Sequence, residues 1–456
     1  MITGFDYGTS NCAIGTISPK SGATELLTLE QGKPFLPSTV YAFAREMISE
    51  QVAKDIQDSH AQAQYMQQRA HSLEMALKFR REESIQNDEQ TVFFGNEAFS
   101  QYLAFPEEGF FIKSAKSFLG ASGLRPEIIS FYEDIVTVMM AHIKRSAEQH
   151  AQQTLTHTVI GRPVNFQGLN AEKSNQQALA ILQTAAKRAG FKEVEFFYEP
   201  IAAGLDFEKP LKEDKTVLVV DIGGGTTDCA MILMGPQHIQ KHDRFSDFIG
   251  YCGERTGGND FDIQIAAKLL MPLLGMNSTL KSGLPMPTQV YWDAVSTNNV
   301  GAQTKFHKVD TAVLLKQLLR DTTEPNLVER FISVRENNQN HQMVRSAEQA
   351  KIALSDQHEI SIGLDYIEDQ LTKGASIEDI QGAVQRPLKT MISLMNDAIT
   401  QADTRPDLIY ITGGSAKSPV IRSVIEQQFG NIEIVDGDHF GSVTNGLTLW
   451  AQKIFQ

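Results

Sequence analysis

The segment VLVVDIGGGTTD, residues 217–228, places four apolar β-forming residues before an acidic residue, three glycines and a second acidic residue. This pattern predicts a strand, a tight turn and a second strand. Glycines without Cβ atoms let several backbone N–H groups approach one anion. Asp221 and Asp228 repel phosphate, so their presence beside the turn indicates a divalent cation, for which Mg²⁺ is the best match. A glycine-rich hairpin without a chemical role is the alternative. The turn glycines are Gly223, Gly224 and Gly225.

The N-terminal segment ITGFDYGTSNC, residues 2–12, repeats this plan in a shorter form. A short strand precedes an acid, a glycine and three small hydrogen-bonding residues, which are Asp6, Gly8, Thr9, Ser10 and Asn11. The two loops therefore look like halves of a duplicated α/β protein that clamps a phosphate chain by hinge closure. A third glycine pair, Gly413 and Gly414 in DLIYITGGSAKSP, lies between an apolar strand and a predicted helix, whose N-terminus would be a further anion or ribose site.

These stretches resemble the ATPase superfamily of actin, sugar kinases and heat-shock chaperones, and their details resemble the nucleotide-binding domain of DnaK-type chaperones. The further collinear matches are GKPFLPSTVYAF (32–43), TVFFGNEAF (91–99), SAKSFLG (114–120), VIGRPVNF (159–166), YEPIAAGL (198–205), TGGNDFD (256–262) and AEQAKIALS (347–355). The resemblance implies a duplicated actin-like ATPase fold of the α/β class. Each of its two lobes would contain a mixed sheet with packed helices, around a central nucleotide cleft that binds ATP or ADP.

The resemblance also assigns roles in the chemistry. Lys116 would be directed at the γ-phosphate, and Glu199 would orient a metal-bound or attacking water. Asp6 and Asp221 would hold Mg²⁺ mostly through water. Thr9, Thr226 and Asp228 would bind phosphate and position the nucleophilic water. Without the resemblance, Lys116 would be taken for a surface lysine and Glu199 for a helix N-cap before Pro200. Other nucleotide contacts implied by the motifs are Gly8, Ser10, Asn11, Gly223, Gly224, Gly225, Thr227, Gly257, Gly258, Asn259, Asp260, Gly413, Gly414, Ser415 and Lys417.

Recognition of the base rests on a predicted helix. Glu348, Lys351 and Ser355 share one face of it and match the chaperone residues that contact ribose and adenine. Ile352 replaces the arginine that would stack on adenine, so cation–π strength is lost. Lys417 stands where the family has an arginine on the other side of the base. The family's hinge motif near the C-terminus is replaced by GDHFGSVTNG (437–446), and a reduced affinity for adenine nucleotide is expected.

Composition excludes some classes of function. The 456 residues carry a net charge of −14, which argues against nonspecific nucleic-acid binding. The three cysteines indicate no disulfide framework and fit a reducing cytosol. No signal peptide or apolar run of membrane length occurs, so a cytoplasmic protein without membrane contact is expected. The first loop begins so early that no cleaved presequence is expected, and no substrate-binding domain is expected after the last helix.

The predicted domains are lobe I over residues 1–209, lobe II over 210–440, and a C-terminal helix over 441–456 that returns toward lobe I. Residues 45–85 contain no Gly or Pro and predict an inserted long helix or helical pair. A peripheral subdomain is expected over about residues 260–345. It would contain a loop-rich stretch over 271–301 and a helix over 311–331.

Other helices are predicted over residues 133–153, 171–189, 260–270, 343–355 and 443–455. His238 and His242 have helical metal spacing, but they occupy a predicted strand and turn without companion ligands, so no zinc site is expected.

The function indicated is a stand-alone, Mg²⁺-dependent, slow ATPase that works as a chaperone-like nucleotide switch. Its partners would be the nucleotide and protein partners or a nucleotide exchange factor, and the sequence does not indicate an oligomeric state. A small-molecule kinase on the same scaffold is the main alternative, although such kinases use an aspartate base where chaperones use a lysine and water. An actin-like filament former is a third alternative, without a clear assembly signature.

Overall fold

The computed structural model describes residues 1–105, 108–166, 171–241, 244–437 and 441–456. They form two compact units. Unit 1 contains Met1–Arg255, Ile392–Ala416 and Phe429–Gln456, and unit 2 contains Thr256–Met391 and Lys417–Gln428. The predicted lobe boundaries at residues 209 and 440 stay predictions.

The strands are β1 Ile2–Tyr7, β2 Asn11–Ile17, β3 Thr24–Leu26, β4 Leu36–Pro37, β5 Thr39–Ala42, β6 Val92–Phe94, β7 Phe110–Lys113, β8 His157–Arg162, β9 Glu193–Tyr198, β10 Lys215–Ile222, β11 Thr227–Met234, β12 Phe248–Glu254, β13 Glu359–Gly363, β14 Thr372–Ser376, β15 Leu408–Thr412 and β16 Glu433–Asp436. The α-helices are α1 Arg45–Asp55, α2 Ser59–Gln68, α3 Ala70–Glu82, α4 Gly95–Ala104, α5 Pro126–Ala151, α6 Ala171–Arg188, α7 Glu199–Glu208, α8 Gly258–Ile265, α9 Gln289–Val295, α10 Val300–His307, α11 Val309–Asp321, α12 Pro325–Glu336, α13 Asn340–Ala353, α14 Ile377–Ala383, α15 Gln385–Ala402, α16 Pro419–Phe429 and α17 Ser442–Phe455.

Two large sheets of unit 1 share one pattern of strand directions. The first has the order β3-β2-β1-β8-β9 and the second has the order β12-β11-β10-β15-β16. In each sheet the first three strands pair antiparallel and the last three pair parallel. The β1–β2 turn and the β10–β11 turn therefore occupy equivalent positions in the two sheets. This is the duplication that the two Asp-Gly loops predict.

One buried cluster joins the two sheets through α7 and α17. Its apolar side chains come from β8 and β9, from β10 and β11, and from both helices. Small residues allow this close packing, because a Cβ on Gly446 of α17 would collide with the backbone of Ala202 in α7. A Cβ on Gly4 of β1 would likewise lie 2.7 Å from Thr448 Cα in α17. The C-terminal helix α17 thus packs on the first sheet and, together with α7, holds the sheets that carry the two turns.

Residues 45–85 form three helices, so the prediction of one long helix or a helical pair is wrong. The chain breaks before α2, where the Asp58 side chain caps the helix by accepting from the Ala61 N–H at 2.7 Å. It breaks again at Arg69, between α2 and α3. Arg69 donates to Asp134 of α5 at 3.0 Å and to Glu133 at 3.2 Å. The three helices are therefore anchored on the body of unit 1.

Other predicted elements of unit 1 agree more closely with the structure. The helix predicted over 133–153 begins earlier, as Pro126 occupies its first turn and fixes φ there. The helix predicted over 171–189 is α6, and Gly190 follows it with a φ of +95°. The helix predicted over 443–455 is α17.

Unit 2 is mainly helical, with one β13–β14 hairpin. The predicted helix over 260–270 is α8 followed by a π-helical turn, Ala266–Leu270. The stretch 271–301 is less irregular than predicted, since it contains α9 and the start of α10. The predicted helix over 311–331 is two helices, because Pro325 cannot continue α11 and instead begins α12. Stacked rings of Tyr291 and Phe331, with centroids 4.1 Å apart, hold this part of the unit together.

Candidate nucleotide-phosphate site

The two Asp-Gly turns of unit 1 face each other at van der Waals distance. A Cβ on Gly224 would collide with the Ser10 hydroxyl of the first turn. A Cβ on Gly225 would lie 2.6 Å from Thr9 Cγ2 and 2.9 Å from Thr9 Oγ1. Only glycine fits at these two positions of the second turn. The structure thus brings together the two loops that the sequence identifies as phosphate loops.

The third glycine pair lies against the second turn. Gly413 follows β15, which pairs with β10, and has a φ of +91° that favours glycine. A Cβ there would lie 2.7 Å from Asp221 Oδ1. The Ser415 hydroxyl donates to the Gly223 carbonyl at 3.4 Å. Three stretches far apart in sequence therefore converge within unit 1.

Lys116 is buried, with 5% of its surface exposed, and it lies on a 3₁₀ turn after β7. Its ammonium forms a short ion pair with Glu199 and donates to the Gly161 carbonyl at 3.4 Å. Glu199 is the first residue of α7, and the N-cap position belongs to Tyr198 without a side-chain cap bond. The alternatives of a surface lysine and of an N-cap glutamate are both wrong.

Four carboxylates surround this one ammonium. Burial and the charge of Glu199 raise the pKa of Asp6 from 3.8 to about 7, although Lys116 opposes the change. Burial and Glu199 also raise the pKa of Asp228 to about 7. The pKa of Asp221 is raised well above its usual value, first by burial and then by Glu199 and its fellow aspartates. Burial lowers the pKa of Lys116, but Glu199 and Asp6 outweigh it and leave this pKa above the ordinary value.

This charge pattern fits a divalent cation. Three aspartates that resist ionisation together become compatible with full charge when a cation is close to them. Among the described residues, no three His, Cys, Asp or Glu side chains converge as direct metal ligands. Asp6 and Asp221 would therefore have to act through the waters of the ion, and that role stays a prediction.

One carboxylate oxygen of Asp228 accepts a hydrogen bond, and the other accepts none. Its Oδ1 accepts from the Val164 N–H at 2.7 Å, which ties β11 to the segment after β8. Its Oδ2 is buried and has no hydrogen-bond partner. A Cβ on Gly253 of β12 would collide with this carboxylate. Oδ2 is thus held in place with its acceptor capacity unused, as a water-positioning group requires.

A recess beside the turns contains residues that the motifs identify and residues that they miss. The missed residues include Ser117, directly after Lys116, and Arg255, directly after β12. In the sequence, Ser117 directly follows SAK and Arg255 directly precedes TGG. This adjacency to the two motifs is the signal that could have placed them among the predicted site residues. The lining residues are Thr9, Lys116, Ser117, Pro163, Phe166, Gly225, Thr226 and Arg255.

The residues predicted to contact ribose and base, Glu348, Lys351, Ser355 and Lys417, belong to unit 2. The glycine pair, predicted as an anion or ribose site, belongs to unit 1. Lys351 of α13 forms an ion pair with Asp262 at 2.6 Å and donates to the Gly258 carbonyl at 3.2 Å. Glu348 pairs with Arg345 at 2.9 Å. Ile352 is 57% exposed.

The other residues of unit 2 that are predicted to contact the nucleotide lie at the start of α8 and near the ends of α13 and of a 3₁₀ turn. Asp260 caps the start of α8 by accepting from the Gly257 N–H at 2.9 Å. Asn259 is buried in the first turn of α8. The Ser355 hydroxyl donates to the Lys351 carbonyl at 3.5 Å, and Lys417 ends the 3₁₀ turn Gly414–Lys417. The nucleotide-contact roles of all these residues stay predictions.

Two predictions fall partly outside the described residues. His242 lies outside them, whereas His238 contacts Asp247 at 2.8 Å. In the stretch that replaces the family's hinge motif, residues 438–440 lie outside them. No helix within the described ranges is long and apolar enough to cross a membrane.

Comparison with known proteins finds similarity to a family model and to curated proteins. Residues 122–247 match the model of the MreB/Mbl protein family. The chain is also 25% identical over 312 residues to a chaperone protein DnaK of Emiliania huxleyi. That alignment covers 65% of this chain and 39% of the relative. The chain therefore spans about two fifths of the length of this curated relative.

The MreB/Mbl match includes β8, β9, α7 and the β10–β11 hairpin, which carry Glu199, Asp221 and Asp228. The mixed sheets with packed helices confirm the predicted actin-like ATPase fold. At 25% identity and partial coverage, the match to a DnaK chaperone does not show the DnaK-type domain that the motifs resemble most. Both matches support a place in the superfamily of actin-like and Hsp70-type ATPases.

Proposed function

We propose that the protein binds Mg²⁺–ATP at the paired turns of unit 1 and hydrolyses it slowly. The observation that carries this proposal is the buried Lys116–Glu199 pair, set among three aspartates beside two interlocked glycine turns. A buried lysine with excess carboxylate around it is costly for a purely structural role. The same arrangement is useful where a charged phosphate chain and a cation enter together.

Each residue would have a distinct task. The backbone N–H groups of the glycine turns would cradle the phosphates, and Thr9 and Thr226 would add hydroxyl donors. Lys116 would neutralise charge that develops on the transferring phosphoryl group. Asp228 Oδ2 would accept a hydrogen bond from the attacking water, and Glu199 would hold Lys116 in position. Mg²⁺ held near Asp6 and Asp221 would supply charge neutralisation for the phosphates.

We propose further that hydrolysis serves as a chaperone-like nucleotide switch. The similarity to a DnaK chaperone supports this reading. Binding can shift a conformational equilibrium by the difference in nucleotide affinity between the two states, without any phosphate acceptor. Hydrogen exchange with and without ATP should then show protection at both turns and altered exchange over residues 45–85 or 271–345. Changes confined to the turns would contradict the switch.

A coupled assay for ADP release tests the catalytic proposal. The protein should release ADP slowly and at one rate, whether or not sugars and other hydroxyl acceptors are present. A Lys116→Ala protein prepared in the same way provides the background rate. Acceptor-dependent ADP release together with a phosphorylated acceptor would instead show a small-molecule kinase.

A further inference from the structure

The recess beside the glycine turns contains a second cation that no motif predicts. Among its described lining residues, the positively charged ones are Lys116 and Arg255. Lys116 is already matched by Glu199. A terminal phosphate that enters the recess therefore meets both the Lys116 ammonium and the Arg255 guanidinium.

The strand register explains why Arg255 lies there. β12 pairs antiparallel with β11, and Thr227 pairs with Glu254 at the end of this ladder. Arg255 is the next residue, so its backbone lies beside the last residues of the glycine turn. Asp228 pairs with Gly253 in the same ladder. The segment that positions Arg255 is thus fixed to the strand that carries the water-positioning aspartate.

A neighbouring side chain also indicates a ligand in this recess. Ser117 is 8% exposed, and its hydroxyl has no hydrogen-bond partner. That hydroxyl is 3.0 Å from the position of a Cβ on Gly225. A buried hydroxyl without a partner costs free energy unless a ligand or water satisfies it. Ser117 therefore provides an unused donor in the lining of the recess, close to Gly225.

The chemistry of arginine suits a terminal phosphate better than that of lysine. Its guanidinium keeps its charge at all relevant pH values and offers a planar fork of donors that matches two phosphate oxygens. In phosphoryl transfer, an arginine supplied within the same chain stabilises the charge on the moving group.

We propose that Arg255 is a catalytic residue that donates to the γ-phosphate oxygens, together with the Ser117 hydroxyl and Lys116. This inference rests on the proposed ATPase function and adds a residue to its site. In this role Arg255 would distinguish ATP from ADP, because ADP has no γ-phosphate for the guanidinium to bind.

Titration calorimetry with ATP and with ADP, on the full chain in millimolar Mg²⁺, tests the assignment independently of turnover. Arg255→Ala should lower the ratio of ATP affinity to ADP affinity about tenfold, by losing the charge-assisted bonds to the γ-phosphate. It should also lower kcat by about a hundredfold or more. Arg255→Lys should recover part of both losses. Arg405→Gln, which removes an exposed arginine of unit 1, should change neither.

The outcomes separate this inference from the proposed function. If the wild-type protein binds ATP, but the ATP and ADP affinities of Arg255→Ala fall equally or not at all, only the role of Arg255 is overturned. Wild-type protein that binds no ATP would overturn both. If Arg255→Ala does not fold, Arg255→Gln and Arg255→Lys allow the same comparison, and equal affinity ratios in these two would contradict the assignment.

Discussion

At the residue scale, Lys116 and Glu199 depend on each other. Each is largely removed from water, and each would be strongly disfavoured there without its partner. The ion pair also means that a substitution at Lys116 changes more than catalysis. Its effect on stability must be separated from its effect on rate.

Replacing Lys116 with Ala should lower kcat about a hundredfold or more, while ATP affinity changes much less, because the charge is most valuable in the transition state. Stability of the nucleotide-free protein should fall by about 3 kcal/mol, because Glu199 is left buried without its cation. The double variant Lys116→Met/Glu199→Gln should regain most of the stability and none of the rate. Steady-state kinetics measures the rate, and urea unfolding measures the stability. Equal losses in binding and rate would contradict the catalytic role.

The raised pKa of Asp228 gives a pH dependence with a definite sign. The native carboxyl has a pKa of about 7 and the ordinary value is 3.8. Native protein therefore binds more protons than unfolded protein between these values. Its contribution to stability is complete below the lower value and is lost as pH rises through the upper one. Asp6 acts in the same direction.

The nucleotide-free protein should consequently have a higher Tm at about pH 6 than at about pH 8. Asp228→Asn should show a smaller difference, because it keeps an Oδ1 acceptor for Val164 and loses the titrating group. Thermal unfolding of both proteins across this range provides the measurement. Identical pH slopes in the two proteins would show that Asp228 does not titrate there.

At the element scale, the contact between the two glycine turns can be tested with a matched pair of substitutions. Gly224→Ala places a methyl group against Ser10, whereas a Cβ on Gly223 has its nearest neighbour, the Thr226 carbonyl, at 3.5 Å. Gly224→Ala should cost about 1–3 kcal/mol of stability through overpacking. It should also weaken ATP binding by separating the turns. Gly223→Ala should cost much less stability. Similar unfolding free energies for the two variants would contradict the observed interlocking.

The anchoring of helices α1–α3 also depends on a few groups. Arg69 joins the α2–α3 junction to Glu133 and Asp134, and Asp134 is only 1% exposed. Arg69→Ala should therefore cost about 1–3 kcal/mol, since Arg188 still pairs with both carboxylates, and should speed proteolysis within residues 45–85. Lys78→Ala provides the control, because its ion pair with Glu82 is exposed at both ends and contributes about 0.5 kcal/mol or less. Urea unfolding that does not distinguish the variants would contradict the anchor.

The sequence predicts some of these elements better than others, for physical reasons. The Asp-Gly turns are predictable because glycine and aspartate act there through local geometry and charge. The breaks at Asp58 and Pro325 differ from the predicted helices, although an N-cap and a helix-initiating proline are local signals. The ion pair of Lys116 and the position of Arg255 depend on contacts between distant segments. No local pattern reports such contacts. The resemblance indicates the ion pair of Lys116, and the sequence signal for Arg255 is its position directly before the TGG segment.

At the scale of the whole molecule, the repeated sheet pattern of unit 1 accounts for the site. Each sheet offers one Asp-Gly turn, and α7 and α17 join the sheets through a shared core. A duplicated frame of this kind holds the two predicted phosphate loops against each other. The account therefore requires that a phosphate chain and a cation bind cooperatively.

Titration calorimetry with ATP, in millimolar Mg²⁺ and in its absence, tests this requirement most directly. Wild-type protein should bind ATP more tightly with Mg²⁺, and Asp221→Asn should lose most of this Mg²⁺-dependent gain while its metal-free binding changes little. Absence of ATP binding to the wild-type protein in millimolar Mg²⁺ would contradict the account.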